Sequence, residues 1–161
     1  IKCCQELKEI GLGHMNHSLG LPCIDQNLEF VDNLGILAKN ISPNVVKLNL
    51  SHQYGIEDYH IKILLSRCSK IKVLSLEASI DDSFLTIDSF KTIRQYLNLT
   101  LEELSLTYEV GFLELRSRKS TLASMPRLKI LNLHCEKEDN NQIQNLRQLL
   151  PYLMIRTFFD S

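Results

Sequence analysis

Five times in 161 residues the chain repeats one phrase: an apolar residue, two of any kind, a second apolar residue, one of any kind, and a third. The copies are Leu7-x-x-Ile10-x-Leu12, Val45-x-x-Leu48-x-Leu50, Ile71-x-x-Leu74-x-Leu76, Leu101-x-x-Leu104-x-Leu106 and Leu128-x-x-Leu131-x-Leu133. The last positions of successive copies are 38, 26, 30 and 27 residues apart. Within each phrase the last two apolar residues lie two apart, so on an extended chain both point to one face and the residues between them to the other. One such strand cannot bury its apolar face alone. Neighbouring strands must stack in parallel to form one continuous core, with the intervening segments packed behind them.

The phrase is the strand signature of a leucine-rich repeat, whose usual length is about 20 to 29 residues, and the first interval holds an insertion. The predicted fold is α/β: a right-handed β-α horseshoe solenoid with a parallel sheet on the concave face and helices on the convex face. The return segments carry helical stripes. Ile61, Leu64, Leu65 and Cys68 recur at spacings of three and four after Asp58. Val31, Leu34, Leu37, Ala38 and Ile41 form a similar stripe in the insertion. A third runs through Phe84, Ile87, Phe90, Ile93 and Leu97, with Asp81, Asp82 and Ser83 as cap candidates. A fourth runs through Ile143, Leu146, Leu149 and Leu150 and stops at Pro151. Phe112 to Ser120 mixes apolar residues with Arg116, Arg118 and Lys119 at no clean period, which predicts a shorter or irregular helix. Residues 1–161 read as a single domain of five to six repeats. Because the chain starts at Ile1 and enters a phrase at once, it reads as the C-terminal fragment of a longer protein.

A formal net charge of −1 gives no basic field for nucleic acid. No apolar run approaches the roughly 20 residues that span a bilayer, so no membrane contact is expected. The five cysteines are odd in number and form no disulfide framework, which points to a reducing compartment, cytoplasmic or nuclear. Cys4 and Cys68 each stand three residues before a phrase, where a small apolar side chain fits the helix-to-strand corner; Ser42, Asn98, Met125 and Leu150 occupy the same slot elsewhere. The sequons at Asn16, Asn40, Asn49 and Asn98 are read as products of asparagine-rich composition, since a glycan on Asn49 would cover the sheet. Cys3, Cys4, His14, His17 and Cys23 crowd the insertion, yet they contain no Cys-x-x-Cys pair, and Cys4 already has a place in the core. His134 and Cys135 are neighbours on a strand and point to opposite faces, so they cannot act as nucleophile and base. His52 and His60 read as solvated. No catalytic, cofactor or metal residue is assigned, and the chain is not read as an enzyme.

The run Leu64-Leu65-Ser66-Arg67-Cys68-Ser69-Lys70-Ile71-Lys72-Val73-Leu74-Ser75-Leu76, with Cys4-Gln5-Glu6-Leu7 and the closing Leu149-Leu150-Pro151-Tyr152-Leu153-Met154-Ile155, resembles the leucine-rich repeats of F-box proteins. The resemblance covers Cys4 to about Ile155. It implies the substrate-recognition repeat domain of an SCF-type (cullin-RING) ubiquitin ligase, which holds a target near the ubiquitin-charged enzyme. Adaptor binding belongs to the F-box, whose three helices nothing in this chain supplies, so it is assigned to no residue here. The alternative is a free-standing leucine-rich repeat adaptor or inhibitor unrelated to ubiquitin.

Strand alternation nominates the protein-binding surface on the concave face. Lys47, Asn49 and Ser51 should line up with Val73, Ser75 and Glu77, then with Glu103, Ser105 and Thr107, then with Ile130, Asn132 and His134. Glu9, Gly11 and Gly13 would extend the rows at one end, and Thr157 at the other. The column Asn49, Ser75, Ser105 and Asn132 is short and polar, which suits a partner segment that hydrogen-bonds close to the backbone.

Overall fold

The computed structural model describes residues 7–11, 33–51, 56–77, 86–108, 116–135 and 140–159. Strands and helices alternate: β1 (Glu9–Gly11), α1 (Asn33–Asn40), β2 (Lys47–Asn49), α2 (Asp58–Arg67), β3 (Val73–Leu76), α3 (Ile87–Leu97), β4 (Glu103–Tyr108), α4 (Arg116–Ala123), β5 (Ile130–Cys135), α5 (Asn140–Leu149) and β6 (Met154–Phe159). The six strands form one sheet in the order β1-β2-β3-β4-β5-β6, every pair parallel. A parallel sheet whose strands keep chain order needs a crossover between each pair, and the helices supply it.

The phrase sets the register. Leu48 pairs with Leu74, Leu74 with Leu104, Leu104 with Leu131 and Leu131 with Ile155. All three phrase positions are buried in the second to fifth copies, and they join the helix residues Ala38, Ile61, Leu64, Leu65, Phe90, Ile93, Leu97, Leu122, Ile143 and Leu146 in one core. The leucine side of the sheet is therefore the helix side. In the first copy only Ile10 packs against this core: Leu7 is exposed, and Leu12 lies outside the described residues.

The helices hold their predicted stripes, with corrections at the ends. α3 begins later than the acidic cap candidates suggest, at the N-cap Thr86, whose hydroxyl accepts from the Asp88 backbone N–H at 3.1 Å. Asp81, Asp82, Ser83 and Phe84 lie outside the described residues, as do Val31 and the side chain of Leu34. On α5, Ile143 and Leu146 are buried, as is Leu150 just past its end, but Leu149, three residues after Leu146, is exposed. α4 is short, at 8 residues, as the basic and aperiodic segment predicts. His60 is not solvated. It is buried, and its Nδ1 accepts from the Glu57 backbone N–H at 3.1 Å, which satisfies a donor at the start of α2. His52 lies outside the described residues.

The corner slot behaves as its chemistry dictates. Cys68 is fully buried, and its thiol donates to the Ser42 carbonyl at 3.3 Å, so one corner holds the next across the stack. Burial pushes the thiol up from its ordinary 9.0 to about 11, with Arg67 pulling weakly the other way. Met125 and Leu150 fill the slot with apolar bulk. Asn98 fits it poorly: its Oδ1 is buried without a hydrogen-bond partner. Cys4 lies outside the described residues.

One carboxylate joins two helices. Asp58, at the start of α2, accepts from the Thr86 backbone N–H at 2.9 Å and from the hydroxyls of Thr86 and Ser89 on α3. Partial burial raises its pKa, but the hydrogen bonds from Ser89 and Thr86 outweigh that and leave it below the ordinary 3.8.

No helix among the described residues is long and apolar enough to cross a membrane.

Candidate protein-binding face

Opposite the helices, the residues between the leucines form three rows. The first is Glu9, Lys47, Val73, Glu103, Ile130 and Met154. The second is Gly11, Asn49, Ser75, Ser105, Asn132 and Arg156. In the third, Thr107 pairs with His134 and His134 with Phe158. Ser51 and Glu77 lie just past β2 and β3 and meet through a bond from the Glu77 backbone N–H to Ser51 Oγ at 3.3 Å. All twelve nominated residues thus lie on or at the end of this face. Gly13 lies outside the described residues.

The face is less uniformly open than strand alternation implies. Lys47 and Asn49 are exposed, Val73, Ser75, Glu77, Glu103, Thr107, Ile130 and His134 are half-buried, and Ser51, Ser105 and Asn132 are buried. The cause is lateral bonding. Asn132 Nδ2 donates to Glu103 Oε1 at 2.7 Å and to Ser105 Oγ at 3.0 Å, so adjacent strands shut over the central row. Its Oδ1 is left buried with no donor. His134 Nε2 meets Glu77 Oε1 at 3.2 Å and stacks on Phe158, with ring centroids 4.9 Å apart and planes 15° from parallel. At the other end, Lys47 and Glu9 pair at 2.8 Å in the open, a contact of small energetic value.

The phrase misses three residues of the face: Met154, Arg156 and Phe158 on β6. That strand carries the phrase in degraded form. Register places Ile155 against Leu131 and Thr157 against Leu133, so Thr157 stands where the other copies have an aliphatic residue, while buried Leu153, bonded to Leu150 as Leu128 is to Met125, takes the first position with one residue fewer before Ile155. Thr157 is therefore on the core side and does not extend the face. The signal available in the sequence is spacing: Thr157 falls 24 positions after Leu133, within one repeat length.

The remaining functional candidates do not assemble. No group of three or more His, Cys, Asp or Glu side chains among the described residues could hold a metal ion, and Cys3, Cys4, His14, His17 and Cys23 lie outside them. Arg116, Arg118 and Lys119 fall on α4. On the helix side, a hollow of about 380 Å³ between α3 and α4 is lined by Lys91, Arg94, Gln95, Asn98 and Thr121, none of them on the face.

Together, the fold and the site define an α/β protein whose all-parallel sheet displays three side-chain rows on the side opposite its helices. No protein-family model matches the chain, and no curated protein matches it in sequence.

Proposed function

We propose that the chain is a protein-binding leucine-rich repeat domain, the target-recognition part of an F-box protein of an SCF-type ubiquitin ligase, and that it binds its target on the open face of the sheet. In this reading the strands line the concave side of a right-handed β-α horseshoe. The observation that carries the reading is the register: equivalent positions of the repeat stand side by side across six strands, which is what stacking of one repeated unit produces. The filled corner slot at Cys68 supports the F-box resemblance in particular. Six strands at about 4.8 Å spacing give a face roughly 24 Å wide, enough for a recognition segment. The mechanism is capture and positioning of a protein, with no chemistry, cofactor, nucleic acid or membrane required.

The test is affinity purification of the full-length protein with and without Ser75→Arg. Ser75 is half-buried in the middle row, so Arg should project from the face and leave the core intact. Recovery of cullin and its adaptor together with a target, and loss of the target alone in Ser75→Arg, is expected. Reproducible absence of cullin would favour the free-standing adaptor; target capture unaffected by Ser75→Arg would remove the face from the interaction.

A further inference from the structure

The exposed apolar surface gathers at one end of the sheet. Of the eight large hydrophobic side chains that are exposed among the described residues, four fall between positions 149 and 158: Leu149, Tyr152, Met154 and Phe158. Met154 and Phe158, at 57% and 45% exposure, flank Arg156 on the open face of β6. Among the described residues Arg156 has no ion-pair or hydrogen-bond partner for its side chain. Glu103, a strand inward of β5, is bonded to Asn132, and Glu77 is bonded to His134. One edge of β6 pairs with β5, and no described strand covers the other.

We infer that this edge is the anchor for an extended segment of the target that runs along β6 and alternates apolar, acidic and apolar residues at every second position, against Met154, Arg156 and Phe158. The inference rests on the reading of the sheet face as the target-binding surface. Periodicity chooses the direction. A segment crossing the strands meets a row residue every 4.8 Å or so, while its own residues advance by about 3.3 Å, and the two fall out of step. A segment lying along β6 shares its two-residue period and gains main-chain hydrogen bonds from the uncovered edge, the mode of strand addition. Charge chooses the chemistry. Arg156 stands as a cation between two apolar side chains, and a carboxylate there would be partly desolvated by both. The same geometry disfavours a second copy of this chain. Antiparallel pairing of β6 with itself, in the register that sets Met154 against Phe158, places Arg156 directly opposite Arg156.

The experiment measures fluorescence anisotropy of two labelled peptides, Gly-Thr-Leu-Thr-Asp-Thr-Leu-Thr-Gly and its counterpart with Lys for Asp, against the 161-residue chain. The Asp peptide should bind saturably and the Lys peptide at least about tenfold more weakly, with Arg156→Glu inverting that preference and Phe158→Ser weakening both. The circular dichroism melt of Arg156→Glu should match the parent, since that side chain is exposed, while Phe158→Ser should keep the folded spectrum and melt slightly lower for loss of the His134 stack. Equal binding of the two peptides, absence of binding, or indifference to Arg156→Glu overturns the anchor. So does a concentration-dependent dimer that Phe158→Ser abolishes, which would give the edge to a second copy. In the full-length protein, target capture lost in Ser75→Arg but unchanged in Arg156→Glu removes the anchor and keeps the face. Capture unchanged in both removes the face as well.

Discussion

The two halves of the sheet are built from the same phrase and differ in how far each strand runs. Among the strands whose ends lie within the described residues or run at least as far, β2 has 3 residues and β3 has 4, whereas β4, β5 and β6 have 6 each. The residues just past the phrase decide this. After Leu50, the Ser51 backbone N–H donates to Asn49 Oδ1 at 2.8 Å, a local turn that takes an amide from the ladder and ends β2. The Glu77 N–H is likewise given to a side chain, Ser51 Oγ. After Leu106, Leu133 and Thr157 come Thr107-Tyr108, His134-Cys135 and Phe158-Phe159, most of them β-branched or aromatic residues that favour continued strand. The N-terminal half compensates on its helix side, through the Asp58 cluster and the Cys68 to Ser42 bond. Strand length in this fold is thus set by one or two residues beyond the repeat, not by the repeat.

The largest test of that contrast is a pair of core truncations. Leu48→Ala and Leu131→Ala should each cost about 2 to 5 kcal/mol in denaturant melts, with Leu131→Ala the costlier because six-residue strands on both sides resist collapse into the space. A greater loss at Leu48 would break the comparison. Next, Asp58→Ala should cost about 1 to 2 kcal/mol, a modest figure because the carboxylate keeps much of its contact with water. Its sign with pH is set by a pKa held below 3.8: the contribution is present above that value and fades as acid protonates the folded carboxylate. Parent and variant stabilities should therefore converge under acid; a constant gap would show that charge is not what joins α2 to α3. Asn98→Cys tests the C-terminal half's poorest corner, where removal of the orphan Oδ1 should add about 1 kcal/mol. Destabilisation there would mean that the amide has a structural use. Smallest at neutral pH is the Cys68 titration. A thiol raised to about 11 leaves stability flat up to pH 9 and lowers it between 9 and 11, as the unfolded chain ionises first. Cys68→Ala should flatten that slope, and an unchanged slope would assign it to other groups.

Much of this is legible in the sequence because burial by a strand is a property of period. Leu74, Leu104 and Leu131 declare their side of the sheet, and by alternation so do Ser75, Ser105 and Asn132. What alternation cannot express is lateral reach. The bond from Asn132 to Glu103 that closes the middle row depends on side-chain length across strands, which no single phrase contains. β6 escapes because Leu153 and Ile155 stand two apart where the other copies have three, and because Thr157 carries a hydroxyl where period is read from apolarity. His60 escapes for the opposite reason: a polar residue reads as solvated, yet the start of α2 has a donor for it.

The order of the strands carries a mechanical consequence. Each strand is hydrogen-bonded only to its neighbours in the chain, so no ladder ties the first to the last. Stretched from its two ends, such a molecule has no shear clamp and yields by peeling. The three-pair seam between β1 and β2 would open at lower force than the six-pair seams that join β4 to β5 and β5 to β6. A partner held at β6 would stay bound to the last part of the sheet to come apart.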